Sequence, residues 1–154
     1  NTRITIWPQY QEHYFLLSPA TESHSQKPMK WAQAARLPLC LLTPDMHNRL
    51  IVDQSFKAAG CEVEAAMETN SVLSLMQAVT EGGMHSVLPG ALVATLPDAV
   101  QLRVRPLVGP KVQTAIAFLT PPQEQATRAQ QAAMALVQSG QWMQQCVRFA
   151  GAVR

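Results

Sequence analysis

Four polar side chains stand where two predicted strands pass into helices, and their types suit the binding of a small polar ligand. Thr43 follows an apolar strand, while Thr69, Asn70 and Ser71 precede the helix that begins near Val72. Hydroxyl and amide groups bind such a ligand through hydrogen bonds without reacting with it. The first N–H groups of a helix add a partial positive charge, which favours a carboxylate or another small anion. The alternative is that these residues only cap helices.

A catalytic or metal-binding set is not predicted elsewhere. Asp45 and His47 are two residues apart, so on a helix start they point in different directions and are expected to be exposed. His13, His24 and His85 have no partner at metal-ligand spacing. The chain also contains no G-x-S-x-G elbow and no glycine-rich phosphate loop. We therefore expect no enzyme activity, no metal and no cofactor.

The elements that position the four polar residues alternate between strand and helix. The pattern predicts a strand buried on both faces at Leu39–Leu42 and a helix at Met46–Ala59 that is stopped by Gly60. A strand with period-2 alternation follows at Cys61–Met67, and an amphipathic helix at Val72–Val79 ends at Gly82-Gly83. A short third strand is predicted at Ser86–Pro89. This order predicts right-handed βαβ units and a parallel sheet. Because parallel strands end at one edge of a sheet, Thr43 and Asn70 should lie near each other.

Further elements are predicted on both sides of this unit. They are a strand at Tyr14–Leu17, a loop at Ala20–Pro28, a short helix at Trp31–Arg36, strands at Val100–Leu107 and Gln113–Leu119, and a long helix at Glu124–Phe149 broken at Gly140. The apolar positions Ala133, Leu136, Val137 and Trp142 of the long helix suit packing against a sheet. Arg103 and Arg105 share one face of their strand, where they meet either an anionic ligand or solvent.

Composition supports a folded core and divides the chain by charge. The chain has 154 residues, 47% hydrophobic and 14% charged, which excludes a largely disordered protein. The net charge of +2 is uneven, at −3 over residues 19–98 and +5 over residues 99–154. Three widely spaced cysteines without a CxxC pair favour a reducing, intracellular setting. No apolar run is long enough to predict a membrane span.

Several segments, taken in order, resemble the effector-binding region of LysR-type transcriptional regulators. They are Tyr14–Pro19, Leu37–Leu42, Asn48–Cys61, Glu68–Gly82 and Val87–Pro89. Each motif alone is weak, but their order and spacing together are specific, and the similarity covers nearly the whole chain. One departure is the Gly82-Gly83-Met84 turn, where the family has a G-x-G pattern.

The resemblance implies an α/β fold of the type 2 periplasmic-binding-protein kind, with two α/β lobes built around central sheets. Residues 1–19 would form the end of the first lobe and a crossover strand, and residues 20–98 a nearly complete second lobe. Residues 99–154 would form the second crossover strand and return to a partial first lobe. The winged helix-turn-helix of the family would be absent from this chain, so that DNA is bound only through a missing N-terminal domain.

The resemblance also implies a function, the sensing of a small effector between the lobes to modulate promoter binding and transcription. Asn70 and Ser71, together with Thr69, match the helix start that contacts the effector, and Thr43 matches the facing turn. The full-length protein would be cytoplasmic and a homo-oligomer, dimer or tetramer, with no membrane contact. Two alternatives remain: a periplasmic-type solute-binding protein of the same fold, which would need an export signal, and an α/β enzyme.

Overall fold

The computed structural model describes residues 3–21, 27–97, 100–122 and 126–149, and within these ranges the chain forms eight strands and six helices. The strands are β1 (Thr5–Glu12), β2 (Tyr14–Pro19), β3 (Met29–Lys30), β4 (Cys40–Leu42), β5 (Met67–Thr69), β6 (Ser86–Pro89), β7 (Leu102–Val108) and β8 (Thr114–Thr120). The helices are α1 (Trp31–Ala34), α2 (His47–Ala58), α3 (Val72–Thr80), α4 (Gly90–Ala94), α5 (Arg128–Val137) and α6 (Gly140–Phe149).

The strands in the middle of the chain form one continuous mixed sheet, with both parallel and antiparallel neighbours. Four strands lie in the order β3-β7-β2-β6, and β2 is antiparallel to both β6 and β7. The parallel pair β4-β5 joins this sheet through a parallel bridge between Leu39 and His85, where the Cys40 N–H donates to the His85 carbonyl at 2.8 Å. The predicted parallel arrangement of the first two βαβ strands is therefore confirmed.

Helices cover this sheet on both faces, which explains why Leu39–Leu42 shows no polar alternation. Leu39 and Leu41 pack with Val52 and Phe56 in one core cluster, on the side of α1 and α2. The second cluster consists of residues whose side chains point to the opposite face, on the side of α3: Leu17, Cys40, Leu42, Leu75, Val79 and Leu88. Because successive side chains of a strand alternate between faces, β4 fills both cores and is apolar throughout.

A separate antiparallel pair, β1 and β8, forms the second sheet of the molecule. The chain passes between the two sheets twice, at His13 between β1 and β2 and over residues 109–113 between β7 and β8. Helix α6 packs on β1, where the Trp142 Nε1 donates to Gln9 Oε1 at 2.6 Å. Strand β1 has no clear pattern in the sequence, because Pro8 interrupts it and its second half is largely polar.

The predicted strand Cys61–Met67 is wrong, since only Met67–Thr69 pairs with β4. The alternation in this segment is real, because Cys61, Val63 and Ala65 pack against the first core cluster. The Ala66 N–H donates to the Leu39 carbonyl at 2.9 Å, but residues 61–66 form no strand in the described part of the chain. Alternating burial of side chains shows that the backbone is extended along a core. It does not show that the backbone is hydrogen-bonded to a neighbouring strand.

The predicted long helix is two helices, and its packing face is only partly as expected. Helix α5 begins at Arg128 after Thr127, whose hydroxyl accepts from the Gln130 N–H at 3.2 Å, and α6 begins at Gly140. The predicted start at Glu124 lies outside the described residues. Val137 is buried, but Ala133 and Leu136 are exposed, so their predicted packing against a sheet is wrong.

The turn after α3 requires glycine for its backbone, and this gives a first testable prediction. Gly83 has φ +66°, and a Cβ placed there would meet no atom within 4 Å. Gly83→Ala should therefore lower the free energy of unfolding by about 1 kcal/mol through backbone strain alone. Gly140→Ala is the matched control, because that position also has open space and lies at a helix start without a positive φ. Equal effects of the two substitutions in urea unfolding would contradict this.

Candidate ligand-binding site

The ends of β4 and β5 lie side by side and bring the predicted site residues together. Leu42 and Thr69 are partners in the parallel ladder, so Thr43 continues beyond β4 beside the last residue of β5. The Thr43 N–H donates to the Thr69 carbonyl at 3.0 Å. The predicted proximity of these two turns at the carboxyl edge of the sheet is therefore confirmed.

The segment after β5 is a tight turn into α3. The Thr69 hydroxyl accepts from the Ser71 N–H at 3.1 Å, and the Ser71 hydroxyl caps the helix by accepting from the Ser74 N–H at 3.3 Å. Asn70 is exposed between them. The helix geometry leaves the N–H group of Val72 without an intrahelical acceptor. The capping interpretation thus applies to Ser71, while Asn70 presents its amide to solvent.

Thr43 does not cap a helix. Helix α2 begins at His47, its N-cap residue is Met46, and this residue makes no side-chain capping bond. Thr43 contributes only its carbonyl, which accepts from the Met46 N–H at 3.0 Å. Its hydroxyl oxygen is shielded from solvent and has no hydrogen-bond partner among the described residues, although the residue as a whole is half-buried.

Arg49 lies directly behind the two strand ends, and no motif in the sequence points to it. Its Nη1 donates to the Leu42 carbonyl and to Glu68 Oε1, both at 2.6 Å, and its Nε donates to Asp53 Oδ1 at 2.8 Å. Burial lowers the pKa of Arg49, but the hydrogen bonds to Asp53 and Glu68 raise it, and the net direction is upward. The only sequence signal for this cluster is the i,i+4 spacing of Arg49 and Asp53.

The connection between the two sheets contains buried titratable groups. Glu12 Oε1 accepts from the Ala91 N–H at 3.3 Å, and the His13 carbonyl accepts from the Gly90 N–H at 2.8 Å. Burial raises the pKa of Glu12, whereas burial and then the charge of Lys111 lower the pKa of His13. Both directions disfavour the charged form, as expected where two sheets meet away from water.

Other residues that could bind an anion lie apart from this edge. Asp45 and His47 are exposed, as predicted, and His47 and Lys111 line an open groove of about 590 Å³ between α2 and residues 110–115. Thr43 and the turn before α3 do not line this groove. A ligand held by the predicted residues would therefore lie on the edge of the sheet and not in this groove.

Arg103 and Arg105 are half-exposed, and both also donate to backbone carbonyls. The Arg103 Nε and Nη2 donate to the Ala20 carbonyl, both at 3.2 Å, and the Arg105 Nε donates to the Lys27 carbonyl at 2.8 Å. Both side chains hold the ends of the segment that follows β2. These contacts lie away from the edge formed by Thr43 and Thr69, so the two arginines are not part of the candidate site.

The remaining histidines and cysteines show no ligating arrangement. His85 is buried, with Nδ1 2.9 Å from the Ser18 hydroxyl, and His24 lies outside the described residues. Over residues 3–21, 27–97, 100–122 and 126–149, no three His, Cys, Asp or Glu side chains are grouped to hold a metal ion. In the same ranges, no helix combines the length and the apolar character that crossing a membrane requires.

Comparison with known sequences gives one family match and one curated relative. Residues 2–142 match the LysR substrate binding domain family. A probable nitrogen assimilation transcriptional activator from Synechococcus elongatus is 26% identical over 114 residues, which are 74% of this chain and 37% of the activator. The chain thus spans well under half the length of this relative.

Solved structures with similar folds include a C-terminal domain and a regulatory domain. The C-terminal domain of a probable LysR family transcriptional regulator from Rhodococcus sp. RHA1 has a TM-score of 0.70 and 18% identity, over 88% of this chain and 68% of that one. The CcmR regulatory domain from Synechocystis PCC6803, in complex with 2-PG, has a TM-score of 0.73 and 12% identity, over 89% of this chain and 66% of that one. The predicted α/β fold of the type 2 periplasmic-binding-protein kind is therefore confirmed.

Proposed function

The chain belongs to the LysR substrate binding domain family, and from that membership we propose that it is the ligand-sensing part of a transcriptional regulator. We place the effector at the edge formed by Thr43, Thr69, Asn70 and Ser71. The observation that supports this placement is the hydrogen bond between the Thr43 N–H and the Thr69 carbonyl, which sets two strand-to-helix turns side by side. In α/β sheets, ligands bind outside the carboxyl ends of the strands.

A small anion, such as a carboxylate, fits this edge. The first turn of α3 offers N–H groups and the positive end of the helix dipole. Arg49 forms ion pairs with both Glu68 and Asp53, so its positive charge offsets part of the repulsion that these two carboxylates exert on an anion. Hydroxyl groups at Thr43 and Ser71 and the exposed amide of Asn70 supply neutral donors around it.

The signal would be a change in the relative arrangement of the two sheets. Among the described residues, only His13 and residues 109–113 connect them along the chain, which is typical of a hinge built from two crossing segments. A ligand that contacts both lobes binds one arrangement more tightly and shifts the population towards it. We propose that residues 20–98 act as one lobe, and that residues 1–19 and 99–154 belong to the crossovers and to the other lobe.

The partners of the whole protein follow from the same proposal. The curated relative is much longer than this chain, and a separate N-terminal domain would bind DNA. We propose a cytoplasmic homo-oligomer, dimer or tetramer, that acts on promoters without catalysing a reaction. The curated relative is named a transcriptional activator, which favours this function over a solute-binding protein or an enzyme of similar fold.

Replacement of Asn70 tests the placement of the effector. Asn70→Ala in the full-length regulator should weaken ligand binding about tenfold, which is the loss of one hydrogen bond to a charged group. Its thermal unfolding should not change, because Asn70 is exposed. The measurement is titration calorimetry with 2-PG and a panel of small carboxylates.

The matched control is Gln77→Ala, an exposed position further along the same helix. It should leave both the affinity and the unfolding temperature at their wild-type values. If Asn70→Ala bound the wild-type ligand with full affinity, the effector would lie elsewhere.

A further inference from the structure

We propose that Arg49 is a positioning residue of this site, one that sets the spacing of the two strand ends without touching the ligand. Its Nη1 bonds to Leu42 and Glu68, which immediately precede Thr43 and Thr69. One guanidinium nitrogen therefore holds the residue before each site threonine. This inference rests on the proposed function, because it concerns the geometry of the same edge.

The shape of the guanidinium explains how one side chain reaches three acceptors. Arg49 is only 8% exposed, and its Nε is fixed by Asp53 one turn further along α2. That contact orients the planar group so that Nη1 points at the strands. A lysine would keep the charge and a nitrogen with several donors, but it has no Nε, so it lacks the contact with Asp53 that fixes the direction of the group.

The two strands need this additional contact because few hydrogen bonds join them to each other. Strands β4 and β5 have only three residues each, and β5 pairs with β4 alone in the described sheet. Ser71 and the start of α3 follow β5 directly, so a displacement of β5 moves the helix start relative to Thr43. Since hydrogen bonds to a ligand weaken steeply with distance and angle, this displacement would reduce the match between the two turns.

The test is amide hydrogen exchange by NMR on the 154-residue chain without ligand. In Arg49→Met, the Thr43 N–H should exchange about tenfold faster, since the strand ends separate more often. The Cys40 N–H, which donates to His85 within the same strand region, should keep its wild-type rate. In Arg49→Lys, the exchange rate of the Thr43 N–H should lie between the rates of Arg49→Met and the wild type.

Asp53→Asn is the matched control, since it removes a charge from the cluster but keeps an Oδ1 that can accept from the Arg49 Nε, so that both Nη1 contacts stay in place. It should leave the exchange of the Thr43 N–H close to the wild-type rate. If Arg49→Met accelerated the exchange of the Thr43 and Cys40 N–H groups by the same factor, Arg49 would only stabilise the fold as a whole. If neither amide changed, Arg49 would not hold the strand ends. Either result overturns the proposal.

Two features keep the experiment decisive. Where Arg49→Met does not fold, the comparison of Arg49→Lys with Asp53→Asn gives the same contrast in exchange at Thr43. Because no ligand is present, the outcome is independent of the Asn70→Ala titration. A failure of the proposed effector site and a failure of the positioning role are therefore separate results.

Discussion

Replacing Trp31 with alanine is expected to lower the free energy of unfolding by about 3–5 kcal/mol, the range for removing a large aromatic side chain from a core. Trp31 is fully buried at the start of α1. Its ring packs edge-on against Phe56 with centroids 5.0 Å apart and lies 6.5 Å from the ring of Tyr14. Alanine would leave a cavity at the point where α1, α2 and β2 pack together.

The hydrogen bond of Trp31 can be tested apart from its packing. Its Nε1 donates to the Pro110 carbonyl at 3.1 Å, which fastens the segment between β7 and β8 to α1. Trp31→Phe keeps an aromatic ring but removes this donor, and should lower the free energy of unfolding by only about 1–2 kcal/mol. Urea unfolding followed by far-ultraviolet circular dichroism measures both variants. Similar losses for alanine and phenylalanine would show that the hydrogen bond, and not packing, dominates.

Hydrophobic patterning predicts the elements that fill the main core. Leu39–Leu42 contacts both clusters, and the spacing of Leu75 and Val79 matches the buried face of α3. These patterns arise from the burial of side chains, so they locate elements and their faces. They do not report backbone pairing, which explains why Cys61–Met67 resembles a strand although only its last residue belongs to β5.

The second sheet is less visible in the sequence because much of its apolar surface is exposed. Ile6 and Leu119 are partners across β1 and β8 and are 62% and 63% exposed, and Leu136 on α5 is 59% exposed. The apolar character of α5 predicts burial, but no described element covers this position.

The site could be predicted only as far as local sequence determines it. Thr43 and Ser71 stand out because each follows a strand and precedes a helix, and the parallel order of the strands then implies that they meet. Arg49 does not stand out, because two of its partners, Leu42 and Glu68, become its neighbours only after the sheet has formed. Positioning contacts that join distant segments need the tertiary structure.

Thr43→Val should have opposite effects on stability and on ligand binding. The Thr43 hydroxyl is shielded without a partner in the described part of the chain, and such a group is unfavourable by about 1–3 kcal/mol. Valine has the same shape without the hydroxyl, so the free energy of unfolding should rise by a similar amount. If the hydroxyl turns to the effector in the complex, its loss should weaken binding about tenfold.

Ser86→Ala separates the two effects, because Ser86 is also fully buried and its hydroxyl also has no partner among the described residues. Its position on β6 is outside the proposed site. This variant should gain stability as Thr43→Val does and keep the wild-type affinity in titration calorimetry on the full-length regulator. If only Thr43→Val binds the ligand more weakly, the Thr43 hydroxyl takes part in ligand recognition, and its lack of a partner in the free protein is unfavourable until the ligand binds. A Thr43→Val protein that is no more stable than the wild type would show that this hydroxyl is already satisfied, and equal affinities would remove Thr43 from the site.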